Sequence, residues 1–226
     1  MPGNSSFVAY NYRKLLSGCS ERLLVKKEAA LLWQKNIKRA VDIVAALSGL
    51  ICLLPLMIYV AIRVKLDSRG PVFYFQERLG FKGVPFIIYK FRSMVEGAEQ
   101  NGPTLSFVND NRVTNWGSTM RTWKLDELPQ LFNVLIGTMS LVGPRPERKY
   151  YIDIVSPIYP YFDYLHQVKP GLTSLGMIKF GYARNVAQII QRMKYDVEYV
   201  ERYSLLLDFK ILYYTLPSII GSKKVV

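Results

Sequence analysis

The chain has 226 residues, half of them hydrophobic, and 30 Lys and Arg against 17 Asp and Glu give it a formal charge of +13. That length accommodates one domain plus an appendage, and the basic excess calls for a negatively charged partner: nucleic acid, an anionic membrane face or phosphorylated substrates. Two cysteines outside any CxxC pair, Cys19 and Cys52, exclude a disulfide framework and a cysteine zinc site, and the single histidine, His166, excludes a multi-histidine metal cage and reads as a structural or surface residue.

Residues 1–36 form a polar, basic extension in which Leu23, Leu24, Ala29, Leu32 and Trp33 recur at helical spacing. An amphipathic helix on a membrane and a loosely ordered tail both fit it. Ile43 to Ile62 then reads IVAALSGLICLLPLMIYVAI, without a charged side chain. About 20 helical residues match the hydrocarbon thickness of a bilayer. The run starts too far from Met1 for a cleaved signal peptide and no small-residue cleavage site follows it. A helix apolar on every face is also hard to bury in so small a domain. Lys35, Lys38 and Arg39 precede the run, and Arg63, Lys65 and Arg69 follow it. Such clusters favour the cytoplasmic side, so a single crossing would misplace one of them, whereas a helix that enters and turns back keeps both on one side. Pro55 supplies the bend, since it removes a backbone hydrogen bond. The expectation is a re-entrant membrane helix over 37–66.

The turn Asp67-Ser68-Arg69-Gly70-Pro71 opens a compact domain over 67–226. Val72 to Gln76 and Pro85 to Phe91 read as strands joined by a turn over Gly80 to Gly83. Glu96 to Asn111 reads as a mobile loop. Helices are expected from Asp126 to about Ile136 and from about Asn185 to Tyr203. Leu205 to Ile220 is interrupted by Asp208, Lys210 and Pro217, which suits a helix resting at a membrane interface. The fold class is therefore α+β, helix-dominated.

Three segments carry candidate chemistry. In Lys124-Leu125-Asp126-Glu127-Leu128-Pro129-Gln130, Asp126 suits an N-cap and Pro129 the first helical turn. Two adjacent carboxylates would then sit where a helix favours anions. They point about 100° apart, so one could attack phosphorus while the other holds Mg²⁺, which binds few carboxylates and shares phosphate oxygens. An ordinary acidic helix start is the commoner outcome of such a pattern. Gln76-Glu77-Arg78 and Lys90-Phe91-Arg92-Ser93-Met94 place three cations on paired strands, as a phosphate surface or a solvated basic face. Pro144-Arg145-Pro146, after Gly143, presents a guanidinium from a stiff loop or is a structural turn. No helix-turn-helix, zinc finger or aromatic RNA-binding strand is evident, which removes nucleic acid as the partner.

In this order these segments resemble the bacterial sugar transferase family, the monotopic polyprenyl-phosphate phosphoglycosyltransferases. The resemblance runs from about Lys38 to Thr215 and includes Gly70-Pro71-Val72, Gly117, Asn133, Gly137, Lys169-Pro170-Gly171-Leu172-Thr173, Asp196, Tyr199 and Asp208 besides the segments above. It implies a small cytoplasmic catalytic domain on the inner membrane of a bacterium, with a re-entrant helix hairpin and interfacial amphipathic helices. It implies Asp126 as the nucleophile on the β-phosphate of a UDP-sugar, and Glu127 as the Mg²⁺ ligand. Arg145, with Pro144 and Pro146, is implied as a nucleotide contact, and Arg121 as a lipid-phosphate contact. Lys90, Arg92 and Arg78 are further candidates for substrate phosphate. UMP leaves, and polyprenyl phosphate then takes the sugar-phosphate in a ping-pong scheme. An inactive scaffold of the same fold is the rival reading, and a homodimer stays open. Leu54 stands where the family often carries a serine whose hydroxyl satisfies backbone groups freed by the proline. The chain resembles the minimal form, without the multi-span N-terminal region of larger relatives. No motif specifies the sugar.

Overall fold

The structure, a computed structural model, describes residues 21–100, 102–107 and 110–220. The chain divides into two compact units, Met1–Ala40 and Val41–Val226. Residues 1–20 of the basic extension expected over 1–36 lie outside the described residues; the rest is helical from Glu21.

Helix α1 (Glu21–Asp67) runs unbroken through Pro55, so the expected hairpin is not present as two separate helices. Trp33–Asp67 is, among the described residues, the one helix long and apolar enough to cross a membrane. Its inward residues, Ala46, Gly49, Leu53, Met57, Val60 and Val64, fall three or four apart along one face. Ala46 joins Ile88, Val134 and Met139, while Val60 and Val64 join Phe91 and Met120. Between them Gly49 faces Leu131 so closely that a Cβ would press on its methyls. Each large side chain buried there contributes about 1.5–3 kcal/mol. The remaining faces keep Val44, Leu47, Ile51, Leu54, Ile58 and Ile62 exposed. Polar anchors hold both ends of this stretch: Asp42 accepts the Leu141 N–H at 2.9 Å, and Asp67 accepts the Trp116 N–H at 3.3 Å.

Strands β1 (Phe73–Leu79) and β2 (Pro85–Phe91) pair antiparallel, Phe73 opposite Phe91 and Leu79 opposite Pro85. A 3₁₀ turn over Phe81–Gly83 joins them, with Lys82 and Gly83 at positive φ. The polar stretch after β2 is a loop, and its described residues are fastened: Glu99 to Arg148 at 2.6 Å and Asp110 to Arg112 at 2.6 Å. Helix α2 (Asn115–Thr122) is capped by Thr114, which accepts from the Gly117 N–H. A Cβ on Gly117 would collide with the Ser93 carbonyl, so only glycine lets α2 lie against the end of β2.

The helix expected from Asp126 is split. Leu125–Glu127 is a 3₁₀ turn preceded by Lys124 in the left-handed region (φ 56°), and helix α3 (Gln130–Ile136) begins after Pro129, which occupies the cap in place of Asp126. Pro129 has no N–H to offer Leu125, so Leu128 bonds that carbonyl instead and the turn tightens. Strands β3 (Ser140–Val142) and β4 (Gly171–Thr173) pair parallel, separated by helix α4 (Lys149–Val155) and a 3₁₀ stretch over Pro160–Gln167. Helix α5 (Leu175–Lys179) is followed by helix α6 (Val186–Glu201), capped by Asn185 close to the expected start. Ile189, Met193 and Val197 of α6 form one core with Tyr151, Ile152, Val155, Phe162 and Leu165. Helix α7 (Leu205–Ile220) turns Ile211 inward and leaves Leu206, Phe209, Tyr213 and Tyr214 exposed.

Candidate active site

Asp126 and Glu127 are both buried, at 7% and 9% exposure, although nothing in their local sequence is apolar enough to hide two charges. Their neighbours account for it. Glu127 Oε1 accepts Lys90 Nζ and Arg145 Nη2, each at 2.8 Å. Burial opposes the Glu127 charge, but Arg145 and Lys90 outweigh it and hold this carboxyl well below the ordinary value. Asp126 receives no such hydrogen bond among the described residues. Burial and then the adjacent Glu127 charge push its carboxyl up, partly offset by Lys90, Arg121 and Lys124. The two acids therefore differ in kind, as paired carboxylates in unlike surroundings do. One is neutralised and fixed. The other is charged with difficulty and open to a partner.

The distance between Lys90 and Glu127 is set by Asn133. This fully buried amide accepts the Tyr89 N–H at 3.0 Å and donates to the Ile87 carbonyl at 2.7 Å, reading β2 as a neighbouring strand would. It bolts α3, which follows the acidic turn, to the strand that carries Lys90.

Arg145 is fixed through its backbone. Pro144 and Pro146 are buried, the Pro144 carbonyl accepts the Gly171 N–H at 2.9 Å, and the Pro146 carbonyl accepts Arg78 Nη1 at 3.2 Å. The Arg145 N–H donates to Asp196, whose other oxygen takes the Gly176 N–H. Burial pushes the Asp196 carboxyl up to about 6. Glu147, ion-paired with Arg78 and Arg192, completes the support. A Cβ on Gly143 would strike Lys169 and Gly171, so the close β3–β4 approach that launches this loop admits only glycine.

The structure thus brings Asp126, Glu127, Lys90 and Arg145 together. Arg121, in the last turn of α2, bonds the Ser93 and Ser106 hydroxyls at 2.9 and 3.1 Å, and its charge reaches Asp126. Arg78 lies behind the Arg145 loop, and burial lowers its guanidinium to about 10. Arg92 is not in the cluster; it bonds the Ser68 carbonyl at 2.7 Å and braces the turn after α1. Sequence reasoning gave no role to Lys124, although it adjoins the acidic pair, nor any to Tyr182, whose phenol accepts Lys124 Nζ at 2.8 Å.

Among the described residues no group of three or more metal-ligating side chains forms. The second oxygen of Glu127 and the Asp126 carboxylate still fit Mg²⁺, which takes one or two carboxylates and completes its shell with water and phosphate oxygens.

The family model described as Bacterial sugar transferase matches residues 33–222. An Aeromonas hydrophila UDP-N-acetylgalactosamine-undecaprenyl-phosphate N-acetylgalactosaminephosphotransferase is 40% identical over 81% of this chain and 44% of its own length. A Caulobacter vibrioides UDP-glucose:undecaprenyl-phosphate glucose-1-phosphate transferase is 39% identical over 81% of this chain and 69% of its own. The Rhizobium leguminosarum exopolysaccharide production protein PSS is 36% identical over 80% of this chain and 94% of its own. The chain spans less than half the length of the Aeromonas relative, and 38% of a Xanthomonas campestris one. By the length of the family match and by these identities, the chain belongs to the bacterial sugar transferase family.

Proposed function

We propose that this protein transfers a sugar-1-phosphate from a UDP-sugar to polyprenyl phosphate at the cytoplasmic face of the bacterial inner membrane. This is the first membrane step of an exopolysaccharide, capsule, O-antigen or glycoprotein glycan. Asp126 carries the reading: a buried carboxylate that receives no hydrogen bond among the described residues, beside an acid neutralised by Lys90 and Arg145. An oxygen of Asp126 bonds to the β-phosphorus as the bond from that phosphorus to the bridging oxygen breaks, and UMP departs with the bridging oxygen. A phosphate oxygen of the lipid then displaces Asp126, giving polyprenyl-diphosphate sugar and restoring the carboxylate. Low local dielectric strengthens the attraction of Lys90, Arg121 and Arg145 for phosphate. Mg²⁺ held by Glu127 supplies, when bound, further positive charge to the phosphate oxygens.

A membrane seat on one side only is supported by the anchors of α1. Asp42 and Asp67 flank the apolar run, and both are tied to the same globular body. A helix crossing a bilayer of about 30 Å would place them on opposite faces, whereas two ends tied to one body stay at the cytoplasmic surface. Any re-entry is then a bend at Pro55 within the single helix α1. Exposed Leu206, Phe209 and Tyr213 on α7 fit an interfacial helix.

Membranes carrying the protein, supplied with undecaprenyl phosphate and a panel of labelled UDP-sugars, are expected to release UMP and form labelled lipid with at least one sugar. Asp126→Asn should lower turnover by about 10⁴-fold or more. Normal transfer by that variant, or failure to trap a phosphosugar adduct on Asp126 when the lipid is withheld, would remove the nucleophile assignment.

A further inference from the structure

The acidic pair is outnumbered. Lys90, Arg121 and Lys124 act on Asp126, and Arg145 joins Lys90 on Glu127, so four cations surround two carboxylates. The surplus of two positive charges equals the charge of a nucleoside diphosphate sugar. Lys90 and Arg145 are already engaged with Glu127, whereas Lys124 is hydrogen-bonded to a neutral phenol. An ammonium that faces a carboxylate pair and, among the described residues, is hydrogen-bonded to one hydroxyl keeps donors for an incoming anion.

The placement of Lys124 is itself built. Its backbone is left-handed, with φ 56° and ψ 22°, a conformation that an L side chain other than Asn or Asp adopts at some cost. Its Nζ lies 4.1 Å from the centre of the Tyr182 ring, and the Arg145 guanidinium stands 5.3 Å from the same centre. One aromatic ring thus orients two cations of the site. Tyr182 follows Gly181, whose φ of 89° turns the loop between α5 and α6 toward the acidic turn. Asp196 fixes helix α5, which leads into that loop, relative to Arg145 by accepting both the Gly176 and the Arg145 N–H. Tyr182 nevertheless keeps 47% of its surface open, so the ring is a wall of the site rather than part of the core.

We propose that Lys124, held by Tyr182, is a diphosphate ligand for the nucleotide donor, and that the Tyr182 ring walls this subsite. The inference rests on the donor being a UDP-sugar, as proposed above. It adds a cation and an aromatic that act on the donor and not on the lipid acceptor.

The test uses the full chain in detergent or nanodiscs, with UDP and UMP as probes in direct titration and steady-state kinetics alongside. Lys124→Gly is the cleanest variant, because glycine adopts the left-handed backbone freely and the fold should be at least as stable. UDP affinity is expected to fall about tenfold or more, the size of one charge-assisted hydrogen bond. KM for the UDP-sugar should rise in parallel, with KM for polyprenyl phosphate within twofold of wild type. Lys124→Arg should recover part of the affinity. Tyr182→Phe, which keeps the ring and drops the hydroxyl that fixes Lys124, should lose less than Lys124→Gly. UDP binding within twofold of wild type in Lys124→Gly, or equal rises in both KM values, overturns this inference and leaves the transferase reading intact. If wild type itself does not bind UDP while Asp126→Asn remains folded, both fall together.

Discussion

Helix α1 and the turn that carries Asp126 are made of opposite materials. Along α1 the apolar side chains stand exposed and the few inward positions form a narrow stripe through Ala46, Gly49, Val60 and Val64. Around Asp126 the arrangement is inverted, with Glu127, Gln130 and Asn133 buried and Phe132 and Ile136 on the outside. Yet both are held by one device, a buried side-chain oxygen accepting a backbone N–H from a distant segment: Asp42 from Leu141, and Asn133 from Tyr89. Burial by water exclusion would suffice for an ordinary core. A protein that leaves its most apolar helix uncovered and hides its charges needs directional bonds to fix the geometry, since apolar contact is not directional.

Removing the strongest of these devices should show the largest effect. Asn133→Ala leaves the Tyr89 N–H and the Ile87 carbonyl without their side-chain partner inside the fold. Each orphaned group costs about 1–3 kcal/mol, so a loss of roughly 2–4 kcal/mol in denaturant unfolding is expected. Turnover should drop by about tenfold or more, because β2 no longer holds Lys90 at Glu127. Asp42→Ala breaks a single bond on the apolar helix and should cost less. An equal loss in the two variants would mean that directional bonding does not distinguish the two regions.

The apolar run was legible because composition and length alone mark it, and the hairpin β1–β2 because alternation and a glycine turn bracket it. The partner of Glu127 was half legible: Lys90 and Arg145 were singled out, but nothing in the chain says that they converge on one oxygen, since that depends on Asn133 and on a parallel β3–β4 pair of three residues each. Arg92 shares a motif with Lys90 and ends elsewhere, because the chain leaves β2 at Phe91 and the guanidinium swings to Ser68. The acidic turn was misplaced by one local detail, the proline that cannot donate to Leu125. Tyr182 was invisible. It reaches the site only through a loop whose direction is set by a positive-φ glycine, and such a residue has no periodic signature.

The buried pair also has a pH signature that the exposed helix lacks. The Asp126 carboxyl is raised above its ordinary value of 3.8 by burial and by Glu127, so its anion, the nucleophile of the proposed reaction, forms later on the pH scale than for a free aspartate. Donor kcat/KM should therefore fall toward low pH with a midpoint above that value, and Glu127→Gln, by removing one of the two causes, should move the midpoint down even as the overall rate drops. The folded protein holds this proton more tightly than the unfolded chain. The contribution of the carboxyl to stability thus declines as pH rises from the unfolded pKa through the folded one, and stays diminished at neutrality. Asp126→Asn should accordingly melt slightly higher than wild type at neutral pH while inactive, the usual trade between a strained site and stability. A lower melting temperature, or an acid limb that Glu127→Gln leaves in place, would mean that burial and mutual repulsion are not what sets this pair apart.

The smallest effect expected is the one that tests the other half of the contrast. Ile51 and Ile58 are 65% and 53% exposed on faces of α1 that no described residue covers. Serine at either position should change unfolding in detergent by no more than about 0.5 kcal/mol, as for surface sites generally. Val60→Ala, two residues from Ile58 and on the opposite, inward face of the helix, removes two buried methyl groups beside Phe91 and Met120 and should cost about 2 kcal/mol. In liposome flotation the order reverses. The outward serines weaken membrane association because about 0.8 kcal/mol per buried CH₂ is withdrawn from the lipid, whereas Val60→Ala leaves it nearly unchanged. Outward serines that destabilise the fold as much as Val60→Ala would mean that those faces meet protein in solution, and the apolar helix would then be a core element of an assembly instead of the part of the molecule that rests in lipid.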